Sequence, residues 1–411
     1  MICYHGGPTL FQASAMPKNK PPVPRKSSTF EEPDIDALAQ VLADLALAAL
    51  GGGAAQVDEM TKILRQALRK KQDEVLYGAI ELARFTDPDA CRLLRGAIEE
   101  NAATLQVRKE GAPDREVDVF MVPLFVRSQG GLVEAEGFQD DAAFAELIDS
   151  FAAAGLESGK AKVVLMRHAY DLDEVDRIAF GDLHDMLREA AASMLDKKIA
   201  ATPALERSMH GWTGRTFGAD DDAMELRFLL GFALKRADDP FYQPPEDEAG
   251  ADAYFDARTQ RYQAWTASAA PLVARCLAQD PARLAIDFLY QDLFYGAKEQ
   301  GAAELAMLST LSAIDAAASG AGLGLDAVAA VVAPIDAGDE IALRVCLYAA
   351  GGTTAPLATI DKRVDLSADL SAEMDELCDA LAGLGLASLA IADGFGEDGT
   401  PHNAAPFTPA P

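Results

Sequence analysis

Basic residues are scarce in this sequence, and their scarcity limits the partners that it suits. The 411 residues include 65 Asp and Glu against 36 Lys and Arg, which gives a formal net charge of −29. Nucleic acids and anionic membranes are bound through clusters of Lys and Arg, so we expect neither as a partner. The excess of carboxylates favours solubility, and we expect a protein partner or a homo-oligomer instead.

Cysteine is scarce too, and its spacing argues against the usual cysteine chemistry. The five cysteines are Cys3, Cys91, Cys276, Cys346 and Cys378, with no CxxC pair among them. Four fall within helix or strand patterns, as expected of reduced core cysteines in a cytoplasmic protein. We therefore predict neither a disulfide framework nor a metal site. The glycine-rich stretch at residues 210–218 lacks the spacing of a phosphate-binding loop, so no cofactor is predicted.

Long apolar runs are missing, and both ends of the sequence lack a hydrophobic period. No run approaches the ~20 residues that cross a bilayer, and no secretory leader pattern is present. We therefore expect a cytoplasmic protein. Residues 1–30 are rich in Pro and Lys and predict a disordered tail, with Met16 as an alternative start to Met1. Residues 396–411 predict a second disordered tail.

Residues 34–103 carry the pattern of four amphipathic helices. Apolar residues recur at the i, i+3, i+4, i+7 spacing of a helix with one buried face. Glycines at 51–53 end the first helix, and Asp87-Pro88 combines a cap with a proline suited to a first turn. The pattern predicts a helical subdomain over residues 31–104, packed on the main domain. A helical scaffold that binds proteins through residues 34–103 is an alternative function.

Strand patterns dominate residues 105–320, which we predict to form a first α/β half. Residues 117–126 are apolar on both faces, as in a strand that is covered on both sides. Pro123 within that run predicts an edge or a bulge, because proline cannot donate to a ladder. Residues 224–235 alternate between apolar and more polar positions. This alternation predicts an antiparallel strand with one buried and one partly solvated face.

A helix pattern at residues 142–156 is similar to a second helix pattern that lies 230 positions later in the chain. Matching pairs include Phe144 with Met374, Leu147 with Leu377, and Gly155 with Gly385. Each helix pattern follows a strand pattern that ends in Gly-Gly and precedes another strand pattern. We therefore interpret residues 321–395 as a second α/β half that repeats residues 116–168. The predicted fold class is α/β (mixed α+β), a helical segment followed by an internally duplicated β-α-β body with mixed sheets.

The stretch VVLMRHA at residues 163–169 is the sharpest lead to chemistry. It resembles the signature of the histidine phosphatase superfamily, in which a strand runs into Arg-His-Gly or Arg-His-Ala. The resemblance implies that His168 is the phosphorylated nucleophile and that Arg167 holds the phosphate, so a phosphoester hydrolase is an alternative function. That chemistry also needs a second His, a second Arg and an acid for the leaving group. No Gly-His pair follows downstream, and strand patterns already precede the motif.

Two groups of carboxylates also stand out, at residues 171–174 and 220–222. Neither has the alternating ligand spacing of a calcium loop. Each precedes a predicted helix or strand, where acidic residues serve as caps and as solvated charge. We therefore interpret both groups as structural.

The order of features over the whole chain also carries a resemblance. An amphipathic helical start leads into FTDPDACRLL at residues 85–94 and then into an apolar strand with an internal proline. This order resembles a family of proteobacterial proteins of similar length that is known as a domain of unknown function. The resemblance implies a bacterial cytoplasmic protein with no assigned activity. The leading prediction is a non-catalytic protein with a regulatory or interaction role.

Overall fold

The computed structural model describes residues 35–108, 114–128, 138, 140–195, 224–278, 280–336, 341–351, 355–364, 369–396 and 399–408. Over these residues the chain forms helices and mixed sheets, so the predicted α/β class is confirmed. The predicted N-terminal tail, the stretch at 210–218 and the carboxylates at 220–222 lie outside the described residues. Within the described residues, no helix combines the length and the apolar character needed to span a membrane.

Four amphipathic helices form the first layer, where the sequence predicts them. They are α1 (Ile35–Ala49), α2 (Ala54–Arg69), α3 (Asp73–Thr86) and α4 (Pro88–Ala103). The predicted cap is present, because Asp87 accepts hydrogen bonds from the backbone N–H groups of Asp89 at 2.8 Å and Ala90 at 3.0 Å. The buried faces of these helices share one core with a sheet, so the helices cover that sheet directly.

The first sheet has six strands in the described part of the chain. They are β1 (Thr104–Val107), β2 (Arg115–Ser128), β3 (Lys162–Asp171), β4 (Met224–Arg236), β5 (Leu284–Phe288) and β6 (Asp292–Leu293). The order is β1-β2-β4-β3, and β5 and β6 also pair with β2. All these pairings are antiparallel, as the alternation in β4 predicts.

The sequence predicts an edge or a bulge at Pro123; β2 is not an edge strand, because it pairs with β4 and with β5, and the irregularity lies on the strand opposite Pro123. Phe288 pairs with Leu124, and Asp292 pairs with Met121. Three residues, 289–291, therefore face two residues of β2, and this extra residue separates β5 from β6. The Pro123 carbonyl still accepts a hydrogen bond from the Leu289 N–H at 2.9 Å. The interruption falls where proline has no N–H to offer.

Helices cover both faces of the first sheet. Those that follow the first layer are α5 (Asp141–Ala153), α6 (Leu172–Asp176), α7 (Phe180–Leu195), α8 (Glu248–Leu277) and α9 (Phe294–Gly320). Even-numbered β4 residues such as Phe228 pack against the first layer, α7 and the start of α9, whereas Leu229 and Ala233 pack with α5 and α8. The prediction of a partly solvated face on β4 is therefore wrong for residues 227–233. Its less apolar positions are buried because Gly231 lies against the Phe120 ring and Arg227 is ion-paired.

A second sheet follows α9. Its strands are β7 (Val328–Asp336), β8 (Ile341–Ala349), β9 (Ala358–Val364), β10 (Ser388–Ile391) and β13 (Ala405–Pro406), and α10 (Leu370–Gly383) packs on them. The order is β13-β10-β7-β8-β9. The two ends of α9 belong to different cores: Phe294 lies in the core of the first sheet, and Ile314 lies in that of the second.

The C-terminal residues correct the prediction of a disordered tail at 396–411. Pro401–His402 (β12) pairs with Gly394–Phe395 (β11), and β13 pairs with β10. The Phe407 N–H donates to the Leu389 carbonyl at 2.9 Å, and its ring packs on the second core. Proline is tolerated at the edge of a sheet, so a proline-rich segment without a hydrophobic period still adds a strand there.

The strand arrangement does not show the predicted duplication. The unit β2-α5-β3 joins two parallel strands with β4 between them, whereas residues 341–392 contain β8 and then β9 before the helix. Moreover, β8 runs antiparallel to β10, because β7 is antiparallel to β8 and parallel to β10. The helices share a C-terminal glycine with positive φ, 65° at Gly155 and 87° at Gly385. The sequence similarity of the two helices thus reflects what amphipathic helices with glycine C-caps have in common.

Candidate functional site

The Arg167–His168 pair lies where β3 departs from a regular ladder. The register with β4 shifts between Leu165 and Ala169, so residues 166–168 of β3 face a single residue of β4. An irregularity of this kind re-aims side chains that would otherwise alternate across the sheet. The side chains of Arg167 and His168 therefore lie in different environments.

Arg167 ties β3 to the segment that precedes α5. Its guanidinium donates to the Phe138 carbonyl at 3.0 Å and forms an ion pair with Asp141. It also lies over the Phe144 ring, with its central carbon 5.7 Å from the ring centroid. In addition, the Arg167 carbonyl accepts a hydrogen bond from the Phe138 N–H. Each of these contacts holds a helix start in place.

His168 is buried and belongs to the cap of α6. Its Nε2 lies 3.1 Å from Glu174 Oε2, and its ring meets Tyr170 edge-on at a centroid distance of 4.7 Å. Glu174 also accepts from the Asp171 N–H at 2.9 Å, and Asp171 accepts from the Glu174 N–H at 2.7 Å. This reciprocal capping box agrees with the interpretation of the 171–174 carboxylates as caps.

Among the described residues, no hydrogen bond or ion pair brings a second histidine to the Arg167–His168 pair. His184 lies on α7, where the Asn101 backbone hydrogen-bonds to it, and His402 lies on β12. In the described part of the chain, no hydrogen bond or ion pair joins either histidine to Arg167 or His168. His5 and His210 lie outside that part. The described geometry gives the Arg167–His168 pair structural partners only.

A different site lies on the face of the first sheet that α5 and α8 cover. It is a cavity of about 340 Å³, which we call the polar cleft and define by Glu116, Asp118, Glu157, Lys235, Tyr242 and Arg258. Sites for small molecules are typically concave, with a few convergent polar groups. The polar cleft has this form.

The polar cleft forms because one face of the sheet changes from apolar to charged. Along β2, Val122 and Phe120 belong to the core beneath α5 and α8, and the next residues on that face are Asp118 and Glu116. Along β4, the same face passes from Ala233 to Lys235, and Glu116 pairs with Lys235 across the ladder. The period of two along each strand thus places these charges together.

The ammonium of Lys235 is held by three groups at the floor of the polar cleft. Its Nζ lies 3.1 Å from Glu116 Oε1, forms an ion pair with Asp118 Oδ2, and lies 4.7 Å from the centroid of the Tyr242 ring. Burial lowers the pKa of Lys235, but Asp118 and Glu116 outweigh burial and raise it above its ordinary value. Lys235 therefore stays protonated at neutral pH.

The opposite wall comes from the loops after α5 and β4. The Tyr242 hydroxyl donates to Glu157 Oε2 at 2.7 Å and accepts from the Ser158 N–H at 3.1 Å. Burial, followed by the Glu157 charge, raises the pKa of Tyr242 far above its ordinary range. Burial disfavours the charge of Arg258, but Tyr290, Glu157 and Tyr254 outweigh burial and raise its pKa. This wall is therefore rigidly cross-linked and carries fixed charges.

Asp118 is the unusual member of the polar cleft. Its side chain is 6% exposed, and Oδ1 has no hydrogen-bond partner among the described residues. Burial raises the pKa of Asp118 above its ordinary 3.8; the charge of Lys235 and hydrogen bonds from Lys235 and the Thr104 side chain lower it, and the Glu116 charge raises it. A buried acceptor without a donor costs about 1–3 kcal/mol. Asp118 therefore carries a free-energy cost that a donor from outside the chain would relieve.

The sequence contains a signal for this site that does not take the form of a motif. Asp118 interrupts the apolar run VDVFMV, and a carboxylate inside a strand buried on both faces needs a partner. Lys235 ends the alternating pattern of β4 on the same face. The pairing of β2 with β4, which brings these two residues together, is not visible in the spacing of either strand alone.

Comparisons with protein-family models, with curated proteins and with solved structures find no match. The resemblance to the uncharacterised proteobacterial family therefore stays a prediction, and so does the resemblance of residues 163–169 to histidine phosphatases.

Proposed function

We propose that this protein is a non-catalytic binding protein and that the polar cleft holds its ligand. The observation that carries the proposal is Asp118, a buried carboxylate that lines a formed cavity and leaves Oδ1 without a donor. Native proteins leave few buried polar atoms unpaired, and those few call for an explanation such as a ligand. A bound molecule with an N–H or O–H group would interact with the Asp118 carboxylate where it lines the cavity.

The protonation states of Lys235 and Tyr242 argue against a catalytic role for either residue. A general base must give up its proton near neutral pH, and a nucleophile needs such a base beside it. Lys235 and Tyr242 have raised pKa values, so both keep their protons. No Ser, Cys or His lines the cleft among the described residues. A regulatory role, read by a protein partner or by a second copy of the chain, is the function that we propose for this binding.

A test of the proposal compares ligand binding with the cleft open and blocked. Leu293 lies at the rim and is 37% exposed, so Leu293→Trp fills the opening without disturbing the core. Leu357, 40% exposed and next to the second sheet, provides the matched control Leu357→Trp. Saturation-transfer NMR would screen diamines, dicarboxylates, sugars and amino acids against all three proteins.

We expect at least one class of molecule to bind the wild type and Leu357→Trp but not Leu293→Trp. The proposal fails if no class binds, or if Leu293→Trp binds the same molecules as the wild type. Circular dichroism of each variant would confirm that its fold is intact.

A further inference from the structure

We infer that the ligand of the polar cleft is a small organic cation, namely a short aliphatic amine with two or more ammonium groups. This inference rests on the proposed binding function and adds the chemical class of the ligand. It follows from the balance of charge, from the chemistry that already holds Lys235, and from the placement of two carboxylates at the rim.

The charges that line the polar cleft are predominantly negative. The carboxylates are those of Glu100, Glu116, Asp118, Glu157 and Asp292, and the cations are Lys235 and Arg258. Both cations already interact with carboxylates, Lys235 with Glu116 and Asp118, and Arg258 with Glu157. An anionic ligand would meet an excess of like charge, whereas a cation would reduce it.

Lys235 shows that the floor of the polar cleft is built to hold an ammonium group. Two carboxylates and the face of an aromatic ring surround its Nζ, and this set of groups also recognises free amines. Asp118 Oδ1 is the acceptor that Lys235 leaves unused. An ammonium from the ligand would pair with the Asp118 carboxylate where it lines the cavity and share it with Lys235.

The rim offers a second position for positive charge. Glu100 and Asp292 are exposed and line the opening, and neither forms an ion pair within the described residues. A chain with an ammonium at each end would therefore reach from the floor to the rim. A metal ion fits less well, because the described residues contain no group of three or more His, Cys, Asp or Glu arranged to hold one.

Isothermal titration calorimetry of the full chain with four probes tests this inference. Putrescine and spermidine are the cations, succinate is the anion of similar length, and 1,4-butanediol is the neutral analogue. We expect the two amines to bind, with an affinity that falls as salt is added, and we expect the other two probes not to bind. Asp118→Asn should weaken amine binding at least about tenfold, because it removes the charge at the floor.

Variants at exposed positions keep the test valid if Asp118→Asn does not fold. The double variant Glu100→Gln with Asp292→Asn should weaken amine binding about threefold or more, since each exposed charge contributes little. Asp58→Asn, an exposed carboxylate on α2 outside the cleft, is the control and should leave the affinity unchanged.

The outcomes separate this inference from the proposed function. Binding of succinate or butanediol without the amines, lost in Leu293→Trp, would overturn the cation class and leave the binding function standing. Amine binding that persists in Asp118→Asn and in the double variant would place the amine elsewhere and overturn the inference. If none of the four probes binds, the inference fails, and the wider NMR panel decides the proposed function separately.

Discussion

The first sheet carries two groups of buried polar residues, one at the end of β3 and one in the polar cleft. Around β3, the charged groups meet opposite partners: Arg227 pairs with Glu225, and His168 lies against Glu174. In the polar cleft, Asp118 leaves one carboxylate oxygen without a donor, beside a cavity of about 340 Å³. Both groups are held by ion pairs within the chain, but the second group lines the polar cleft and the first does not.

This difference shows how to tell architecture from a ligand site. A polar group that the chain itself satisfies gains nothing from a ligand, whatever sequence motif contains it. A polar group that is buried and incompletely matched next to a cavity gains a hydrogen bond when a ligand binds.

The largest effect is expected at Arg227, the charged centre of the group at β3. Arg227→Met leaves the Glu225 carboxylate and the nearby Asp171 without their cation, and Arg227 is only 1% exposed. Breaking a buried ion pair in this way typically destabilises by about 3–5 kcal/mol. Urea denaturation would measure the loss in free energy of unfolding.

The control for Arg227 is Arg236→Met, which removes an exposed ion pair with Asp238 and should change stability little. If Arg227→Met proves as harmless as this control, the group at β3 does not have the structural role assigned to it.

His168→Ala should destabilise the fold less than Arg227→Met, by about 1–3 kcal/mol, because it removes a buried hydrogen bond to Glu174 Oε2, which still accepts from the Asp171 N–H. It should not change binding in the polar cleft, since no contact joins the two groups among the described residues. Thermal unfolding together with hydrolysis of a generic phosphoester would check both points. Turnover that the wild type shows and His168→Ala lacks would instead support the phosphatase alternative.

The raised pKa of Asp118 should contribute to the pH dependence of the free energy of unfolding. Its pKa in the folded protein is raised above 3.8, so in the window above 3.8 the folded state holds a proton that the unfolded state has lost. The free energy of unfolding should therefore decrease as the pH rises through this window. In Asp118→Asn this decrease should be smaller. Denaturation at a series of pH values would measure it, and identical profiles for the two proteins would show that Asp118 is not strained by burial.

The smallest effect is expected for His184, a buried polar residue that lies outside the polar cleft. Its Nδ1 is buried without a hydrogen-bond partner, but His184 does not line the polar cleft. Burial lowers its pKa below 6.5, so the unfolded chain takes up a proton first as the pH falls. Stability should then decrease as the pH falls below 6.5, and His184→Gln should reduce that decrease. If the free energy of unfolding depends on pH equally in the wild type and in His184→Gln, the lowered pKa of His184 is contradicted.

The sequence predicted the elements of the fold better than their arrangement. The four N-terminal helices, the antiparallel strand β4 and the irregularity opposite Pro123 follow from periodicity and from the chemistry of proline. The burial of both faces of β4 does not follow from periodicity. The helices that cover the second face of β4 lie far away in the sequence, at residues 141–153 and 248–277. Patterns within one strand do not report which distant helices pack on it.

The candidate site was harder to predict for the same reason. The Arg167–His168 motif is contiguous and therefore conspicuous, yet its described contacts are structural. The polar cleft draws on residues from 116 to 258, and its central ion pair joins positions 118 and 235 across two strands. The only local sign was a carboxylate inside an apolar run.

One measurement tests the central claim that the polar cleft, and not the Arg167–His168 pair, is the binding site. Titration calorimetry with spermidine would compare the wild type, Leu293→Trp and His168→Ala at a pH and temperature where all three are folded. We predict that Leu293→Trp abolishes binding, because it fills the rim, and that His168→Ala binds with the affinity of the wild type. Loss of binding in His168→Ala, with binding intact in Leu293→Trp, would contradict the claim.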